Sequence, residues 1–298
     1  MKKYIPFIAV AALLMLNSCW NARIKEHDDW KKYFDEYGVE GCFEIYDNNK
    51  ETAHFYNKEL CAKRFTPAST FKIFNSLVAL ETGVAPDEQL VIKWDGKSRY
   101  FKGGNAVFGA DTVGANLMPD WSKDLTMAEA FKVSAVPYYQ EIARRVGAAE
   151  MQAYLDSVKY GNMNIAGAID QFWLNDTLKI SADEQVGFVK RLYFGELPAF
   201  SERTQRIVRG MMLQQESKNY KLYYKTGWGK TGGKDILWVV GYAERFNELK
   251  NVETGNIDRI PHPYFFALNF MAKDDSKDLR TIRTELLQKL LAENGLGK

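Results

Sequence analysis

Thr66-Pro67-Ala68-Ser69-Thr70-Phe71-Lys72 places a hydroxyl and an amine three residues apart beside a helix start, and the rest of the chain is read outward from it. Residues at i and i+3 of a helix are neighbours, so the Lys72 amine comes within hydrogen-bond reach of the Ser69 oxygen. Pro67 supports a helix that begins just after it. The free N–H groups and positive dipole end at such a start favour a developing anion. Serine activated by lysine is one variant of nucleophilic catalysis. S-x-x-K alone is a weak signal, because two fixed common residues recur by chance; its bland alternative is a helix start followed by a solvated lysine.

Upstream, residues 1–18 carry Lys2 and Lys3, an apolar run from Ile5 to Leu16 broken only by Pro6, and then Asn17-Ser18-Cys19. The apolar part is shorter than the roughly 20 residues a membrane-spanning helix needs, so it reads as a secretory signal peptide. Leu16-Asn17-Ser18-Cys19 resembles a bacterial lipobox, which implies cleavage before Cys19 and lipid attachment to its thiol. The expected location is therefore the cell envelope, lipid-anchored at Cys19 and facing the periplasm, with residues 19–298 as the mature protein.

The formal charge of +2 resides in Lys2 and Lys3, which leaves the mature chain balanced and argues against a nucleic-acid partner. Cys42 and Cys61 flank an expected hairpin in which Cys42 to Tyr46 alternates toward a turn at Asp47-Asn48-Asn49. Alternation does not say whether the two thiols face each other, so a disulfide between them stays open.

Thr126-Met127-Ala128-Glu129 and Ser181-Ala182-Asp183-Glu184 read as capping boxes, and Tyr138 to Val146 and Glu150 to Val158 have helical spacing. Tyr220 to Trp228, Ile236 to Ala243 and Tyr264 to Ala272 are strand-like, and Leu279 to Glu293 is an amphipathic helix. An early hairpin, a helical middle and a late meander predict a mixed α+β fold. One antiparallel sheet is assembled from both ends and flanked by helices, with a mainly helical subdomain at about 85–180.

His27, His54 and His262 sit in no motif, which argues against a Ser-His-Asp triad, and no cluster has the spacing of a metal site. A proton from Ser69 must go to lysine or a carboxylate. Ser134-Ala135-Val136, ahead of Pro137, offers a second hydroxyl as proton carrier. Lys225-Thr226-Gly227 lies in an expected strand whose alternation puts Lys225 and Gly227 on one face, the lysine to hold a carboxylate and the glycine to admit a substrate backbone.

Taken together, Pro67 to Lys72, Ser134-Ala135-Val136, Tyr160-Gly161-Asn162, Phe172-Trp173-Leu174, Lys225-Thr226-Gly227 and Trp238-Val239-Val240-Gly241 resemble the boxes of the class D (OXA-type) serine β-lactamases, in order. The related class A set has S-D-N in the middle; here Val136 replaces the asparagine and the Tyr-Gly-Asn box is added. The resemblance spans roughly residues 25 to 293. It implies a penicillin-binding transpeptidase-like fold and hydrolysis of small-molecule β-lactams through an acyl-enzyme on Ser69. Lys72 would be the base after taking up carbon dioxide as a carbamate in a pocket of Phe71, Val136 and Trp173; no other cofactor and no metal is implied. Ser134 would relay the proton to the leaving nitrogen. Lys225 and Thr226 would hold the substrate carboxylate, and the N–H groups of Ser69 and Trp228 would form an oxyanion hole, with Val136 and Gly227 also lining the substrate site.

Two departures stand out. The glycine-rich stretch from Tyr100 to Asp120 is longer than the family's usual link and reads as an extended loop at the rim of the site. At the C-terminal helix the family's carboxylate-binding arginine falls best on Arg280, with Arg283 as the alternative. Three rivals remain: a penicillin-binding sensor, a D,D-peptidase, and a non-catalytic lipoprotein that binds wall fragments. The sensors are carried on multi-span proteins, the Tyr160 and Trp173 boxes favour the lactamase over the peptidase, and the presence of Ser69, Lys72, Ser134 and Lys225 together disfavours the binding protein.

Overall fold

The computed structural model describes residues 23–102, 105–107, 116–250, 255–272 and 278–297. The leader, Cys19 and the glycines at 103, 104, 109 and 114 lie outside them. Strand β1 (Arg23–Glu26) leads into α1 (Lys31–Tyr37), the hairpin β2 (Val39–Asp47) and β3 (Thr52–Tyr56), and the short α2 (Lys58–Cys61). A 3-10 turn (Ala68–Phe71) runs directly into α3 (Lys72–Glu81). Five short strands follow: β4 (Val91–Ile92), β5 (Tyr100–Lys102), β6 (Asn105–Val107), β7 (Asn116–Leu117) and β8 (Leu125–Thr126). Helices α4 (Met127–Lys132), α5 (Val136–Val146), α6 (Ala148–Val158), α7 (Ala182–Phe194) and α8 (Glu202–Met211) come next. The chain closes with β9 (Leu213–Glu216), β10 (Tyr220–Thr231), β11 (Lys234–Lys250), β12 (Ile257–Ala272) and α9 (Leu279–Glu293).

The main sheet has the order β1-β3-β2-β12-β11-β10-β9. Every pairing in it is antiparallel except β1 with β3. The first hairpin and the last meander therefore meet at β2–β12, where Asp47 pairs with Tyr264 and Val39 with Ala272. This is the expected sheet built from both ends.

Strand alternation divides the apolar side chains between two cores. Phe265, Ala267, Trp238, Val240 and Tyr242 face one side, under α3 and α7. Phe266, Leu268, Phe270, Val239 and Leu237 face the other, under α1 and α9. Burial on both faces is why Ile236 to Ala243 and Tyr264 to Ala272 read as nearly continuous apolar runs. Helix α9 closes the second core with Leu286, Leu287, Leu290 and Leu291, all buried. Truncating one of them, Leu290→Ala, should cost about 2–5 kcal/mol through lost transfer energy and the cavity left behind.

Both capping boxes form: the Thr126 hydroxyl accepts from the Glu129 N–H and the Ser181 hydroxyl from the Glu184 N–H, with each glutamate returning the bond. Cys42 on β2 and Cys61 on α2 are buried free thiols. The adjacent Cys42 thiol, and then burial, push the Cys61 thiol far above its ordinary value.

Candidate active site

Ser69 is presented by the 3-10 turn rather than by the α-helix itself, which begins at Lys72. Side chains three apart eclipse one another on a 3-10 turn. This geometry strengthens the pairing expected from sequence: Lys72 Nζ lies 2.8 Å from Ser69 Oγ. Ala68 has φ +50°, a left-handed conformation that costs a side-chain-bearing residue energy and persists only where its surroundings enforce it. They do so from two sides: the Ala68 N–H donates to Trp173 O at 3.2 Å, and the Thr70 hydroxyl donates to Pro67 O at 2.7 Å. Lys72 is wholly buried, and burial alone pulls its amine from 10.5 down to about 7. Near neutral pH a large share of it is uncharged and can accept a proton.

Ser134 occupies a second left-handed position, φ +58°. It follows α4 in a Schellman arrangement, with Ala135 N–H bonded to Ala130 O at 2.8 Å and Ser134 N–H to Phe131 O at 3.3 Å. Glycine usually takes that place, so a serine held there is a sign of function. Its hydroxyl accepts from Lys225 Nζ at 3.0 Å. Lys225 is buried on β10, also donates to Thr226 O at 3.2 Å, and does not line the open part of the cavity. Burial first, and then the charges of Lys72 and Arg283, drive its pKa well below 10.5. The lysine is thus placed to serve Ser134.

Gly227 does share the buried face with Lys225, but a methyl group there would meet Pro67 O at 3.0 Å and Thr70 Cγ2 at 3.2 Å. The glycine lets β10 lie against the nucleophile turn. Gly229, whose missing Cβ would fall 2.8 Å from Ala68 Cβ, does the same one pleat on.

The Tyr160-Gly161-Asn162 box is scaffolding. Asn162 Nδ2 donates to Thr177 O at 2.9 Å, and its Oδ1 accepts from Lys179 N–H at 2.9 Å. Gly161 has φ +55° and leaves no room for a side chain against Lys179 O. This clamp shapes the segment that carries Trp173, whose ring stacks on Phe71 at 5.3 Å. Phe71 and Trp173 are fully buried and Val136 nearly so, and Trp173 Nε1 has no hydrogen-bond partner among the described residues. Asp176, which sequence reasoning passed over, ties three segments together. Its Oδ1 accepts from the Thr66 and Thr231 hydroxyls, both at 2.7 Å, and its Oδ2 from Gly232 N–H at 3.2 Å. Gln185, equally unmarked by any box, donates to the Thr70 hydroxyl at 3.0 Å.

A cavity of about 190 Å³ opens over Ser69 and Ser134, floored by Val136, Thr226, Gly227 and Trp228. A larger groove of about 750 Å³ runs past Trp94, Arg99, Tyr138 and Arg144, and it holds none of these serines or lysines. The rim segment expected as a loop is, where described, a small antiparallel sheet in the order β6-β5-β7. It lowers Phe101 onto the cavity, where its ring meets Trp228 edge-on at 5.0 Å. Both candidate arginines line the same cavity. Arg280 is exposed, its guanidinium 5.3 Å from the Phe101 ring and 5.8 Å from the Trp228 ring. Arg283 is more enclosed, donates to Gly227 O at 2.9 Å, and keeps a buried Nε with no partner among the described residues. Burial, then Arg280, lowers it from 12.5 to about 10.

Residues 43–252 match the family described as penicillin binding protein transpeptidase domain. The chain is 34% identical to β-lactamase OXA-10 of Pseudomonas aeruginosa over 99% of each chain. It is 35% identical to β-lactamase OXA-48 of Klebsiella pneumoniae over 88% of this chain and 87% of that one. Among solved structures, a class D β-lactamase from Sebaldella termitidis superposes with a TM-score of 0.78 at 31% identity, over 93% of this chain and 99% of its own. Fold and site together define a serine enzyme of the penicillin-binding transpeptidase type. Within that type, the chain belongs to the class D, OXA-type β-lactamases.

Proposed function

We propose that this class D enzyme opens the β-lactam ring through an acyl-enzyme on Ser69. The observation that carries the reading is the 2.8 Å pair of Ser69 Oγ with a buried Lys72 whose amine titrates near about 7. Neutral Lys72 takes the Ser69 proton as Oγ bonds to the ring carbonyl carbon. As the C–N bond breaks, the nitrogen receives a proton from Ser134, which Lys225 restores across 3.0 Å. The proton on Lys72 passes on to Lys225, which resets both lysines; water then attacks the ester as Lys72 accepts its proton and hands it to Ser69, which leaves as the hydroxyl. The backbone N–H groups of Ser69 and Trp228 are the donors for the oxyanion. Thr226 and Arg280 hold the substrate carboxylate, with Arg283 behind them.

Carbon dioxide carried on Lys72 as a carbamate fits the residues present. The amine is uncharged enough to react, its surroundings at Phe71 and Val136 are apolar, and Trp173 Nε1 is a buried donor with no partner among the described residues. When bound, the group would supply a carboxylate oxygen as the proton acceptor beside Ser69, one that stays ionised at neutral pH. Turnover of a chromogenic cephalosporin should then fall reversibly when bicarbonate is removed. A bicarbonate-independent rate with no carbamate signal in a ¹³C spectrum of labelled enzyme would leave Lys72 acting as the free amine.

The same reading places the mature protein in the cell envelope, lipid-anchored through Cys19 and facing the periplasm. The support is the lipobox-like Leu16-Asn17-Ser18-Cys19 after a short apolar run. Intact mass of membrane-extracted protein should show cleavage before Cys19 and acyl chains on it; an unmodified Cys19 would overturn the anchor.

A further inference from the structure

The β11–β12 hairpin outruns the sheet that contains it. Pairing of β11 with β10 ends at Tyr220 and Arg245, and pairing of β12 with β2 ends at Asp47 and Tyr264. Past those rows Phe246 to Lys250 pair with Ile257 to Pro261. The bonds from Phe246 N–H to Asn219 O and from Asn48 N–H to Pro263 O brace the base of this ribbon from its two sides, and Lys218 Nζ pairs with Glu248 at 2.9 Å. A two-stranded ribbon is marginal in water by itself, and exposed strand edges are a liability. This one also leaves its large apolar side chains uncovered: Leu249 is 55% exposed, Ile257 62% and Ile260 45%.

The apolar groups lie on both faces. Leu249 pairs with Asp258 and Asn247 with Ile260, which puts Leu249 and Ile260 on one face, while Ile257, opposite Lys250, is on the other. A docked protein covers one face of a ribbon; a lipid interface surrounds both. Within the ribbon Lys250 and Arg259 balance Glu248 and Asp258, and long basic side chains can keep their charges at the headgroups while their stems lie along apolar surface.

The sheet register shows where the ribbon points. Arg23, Thr52, Asp47 and Tyr264 form one row across β1, β3, β2 and β12. The chain therefore comes into the sheet at the end from which the ribbon projects, three strands or about 14 Å away. Cys19 is four residues before Arg23, a tether of at most about 14 Å. From the row of Tyr264 to Ile257 the ribbon extends about 23 Å. An acyl chain on Cys19 holds this end of the domain near the bilayer, within the ribbon's reach.

We propose that residues 246–250 and 257–261 form a membrane-contacting ribbon that enters the interfacial layer of the anchoring bilayer and fixes the orientation of the catalytic domain. The proposal rests on the reading of Cys19 as the anchor. The active site lies at the opposite end of the same strands, since Gly227 pairs with Trp238, eleven residues or about 36 Å along β11 from Leu249. With the ribbon in the headgroups, the cavity over Ser69 is held out toward the solvent that carries its substrate.

The test replaces Cys19 of the mature chain with a hexahistidine tag and tethers the protein to vesicles of phosphatidylethanolamine, phosphatidylglycerol and a nickel-chelating lipid. Spin labels are placed on Leu249→Cys, Ile257→Cys, Ile260→Cys and, on the turn near the active site, Lys230→Cys; Cys42 and Cys61 are buried. Turnover of a chromogenic cephalosporin by each labelled variant reports that it is folded. On vesicles, accessibility to oxygen should exceed that to a polar nickel reagent at the three ribbon positions, while the label at 230 stays in water. Four water-exposed labels would overturn the proposal. So would ribbon labels already immobilised without vesicles, in a dimer that Ile257→Asp dissociates, since the ribbon would then belong to a second copy. The tag makes the result independent of lipidation, which the intact mass reads separately.

Discussion

Replacing Lys72 with methionine should make the protein more stable and inactive, and the gain should depend on pH in a specified direction. The gap between 10.5 and about 7, at about 1.4 kcal/mol per pH unit, sets a ceiling of about 5 kcal/mol on what burying the charged amine costs. The unfolded chain keeps this proton up to about pH 10.5, whereas the folded chain releases it near 7. Between those values the unfolded state binds more protons, so native stability rises with pH; below about 7 the full cost is present. Lys72→Met has no such group. Its advantage over the parent should be largest at pH 6 to 7 and shrink by up to about 1.4 kcal/mol per unit toward pH 10. Urea unfolding of both proteins in carbon-dioxide-free buffers from pH 6.5 to 9.5 measures this directly. A difference that does not change with pH would refute the reasoning, because Lys72 would then titrate as a solvated lysine. Turnover of Lys72→Met should fall by at least about 10³-fold, in the range expected for loss of a general base.

Ser134→Gly should separate strain from chemistry: relief of φ +58° raises stability by up to about 1 kcal/mol. Loss of the hydroxyl should lower kcat/KM by about 10²–10⁴-fold, checked by unfolding and steady-state rates together. Asp176→Ala removes the acceptor for Thr66, Thr231 and Gly232 and should cost about 2–3 kcal/mol, with kcat falling more than KM rises as the Ser69 turn loosens. Arg280→Ala should raise KM for penicillins about tenfold or more with little change in kcat, whereas Arg283→Leu, which frees Gly227 O, should lower kcat as well; the reverse pattern would exchange their roles. Trp173→Phe should weaken carbon dioxide uptake on Lys72 at unchanged fold, so that more bicarbonate is needed to reach half the full rate, read by titrating bicarbonate against rate.

Much of this was legible in the chain because local chemistry and global fold agree. Thr126 and Ser181 cap the helices their glutamates announced, and the late strands read as apolar because they are buried on both faces. Ser69 and Lys72 were visible because i and i+3 proximity needs no tertiary information. Other features depend on what the fold brings together. The close approach that explains Gly227 and Gly229 is to a turn some 160 residues earlier in the chain. Asp176 gains its partners only when Thr66 and the β10–β11 turn converge on it; its one local sign is its place just after Trp173. Strands β11 and β12 run past the boundaries expected from sequence because residues 245–250 and 257–262 are charged and carry Pro261. Proline is tolerated there since the ribbon lies beyond the edge of β2. The left-handed Ser134 could have been suspected from a helix end that lacks the usual glycine.

The most direct measurement of the central claim is rapid-quench mass spectrometry of the mature enzyme during hydrolysis of a penicillin, with peptide mapping of the adduct. The account predicts one penicilloyl group per chain on the peptide containing Ser69, rising within a turnover and disappearing as substrate is exhausted. It also predicts that Ser69→Ala shows neither adduct nor hydrolysis. Hydrolysis without an adduct on Ser69, or an adduct that forms once and persists, would contradict it.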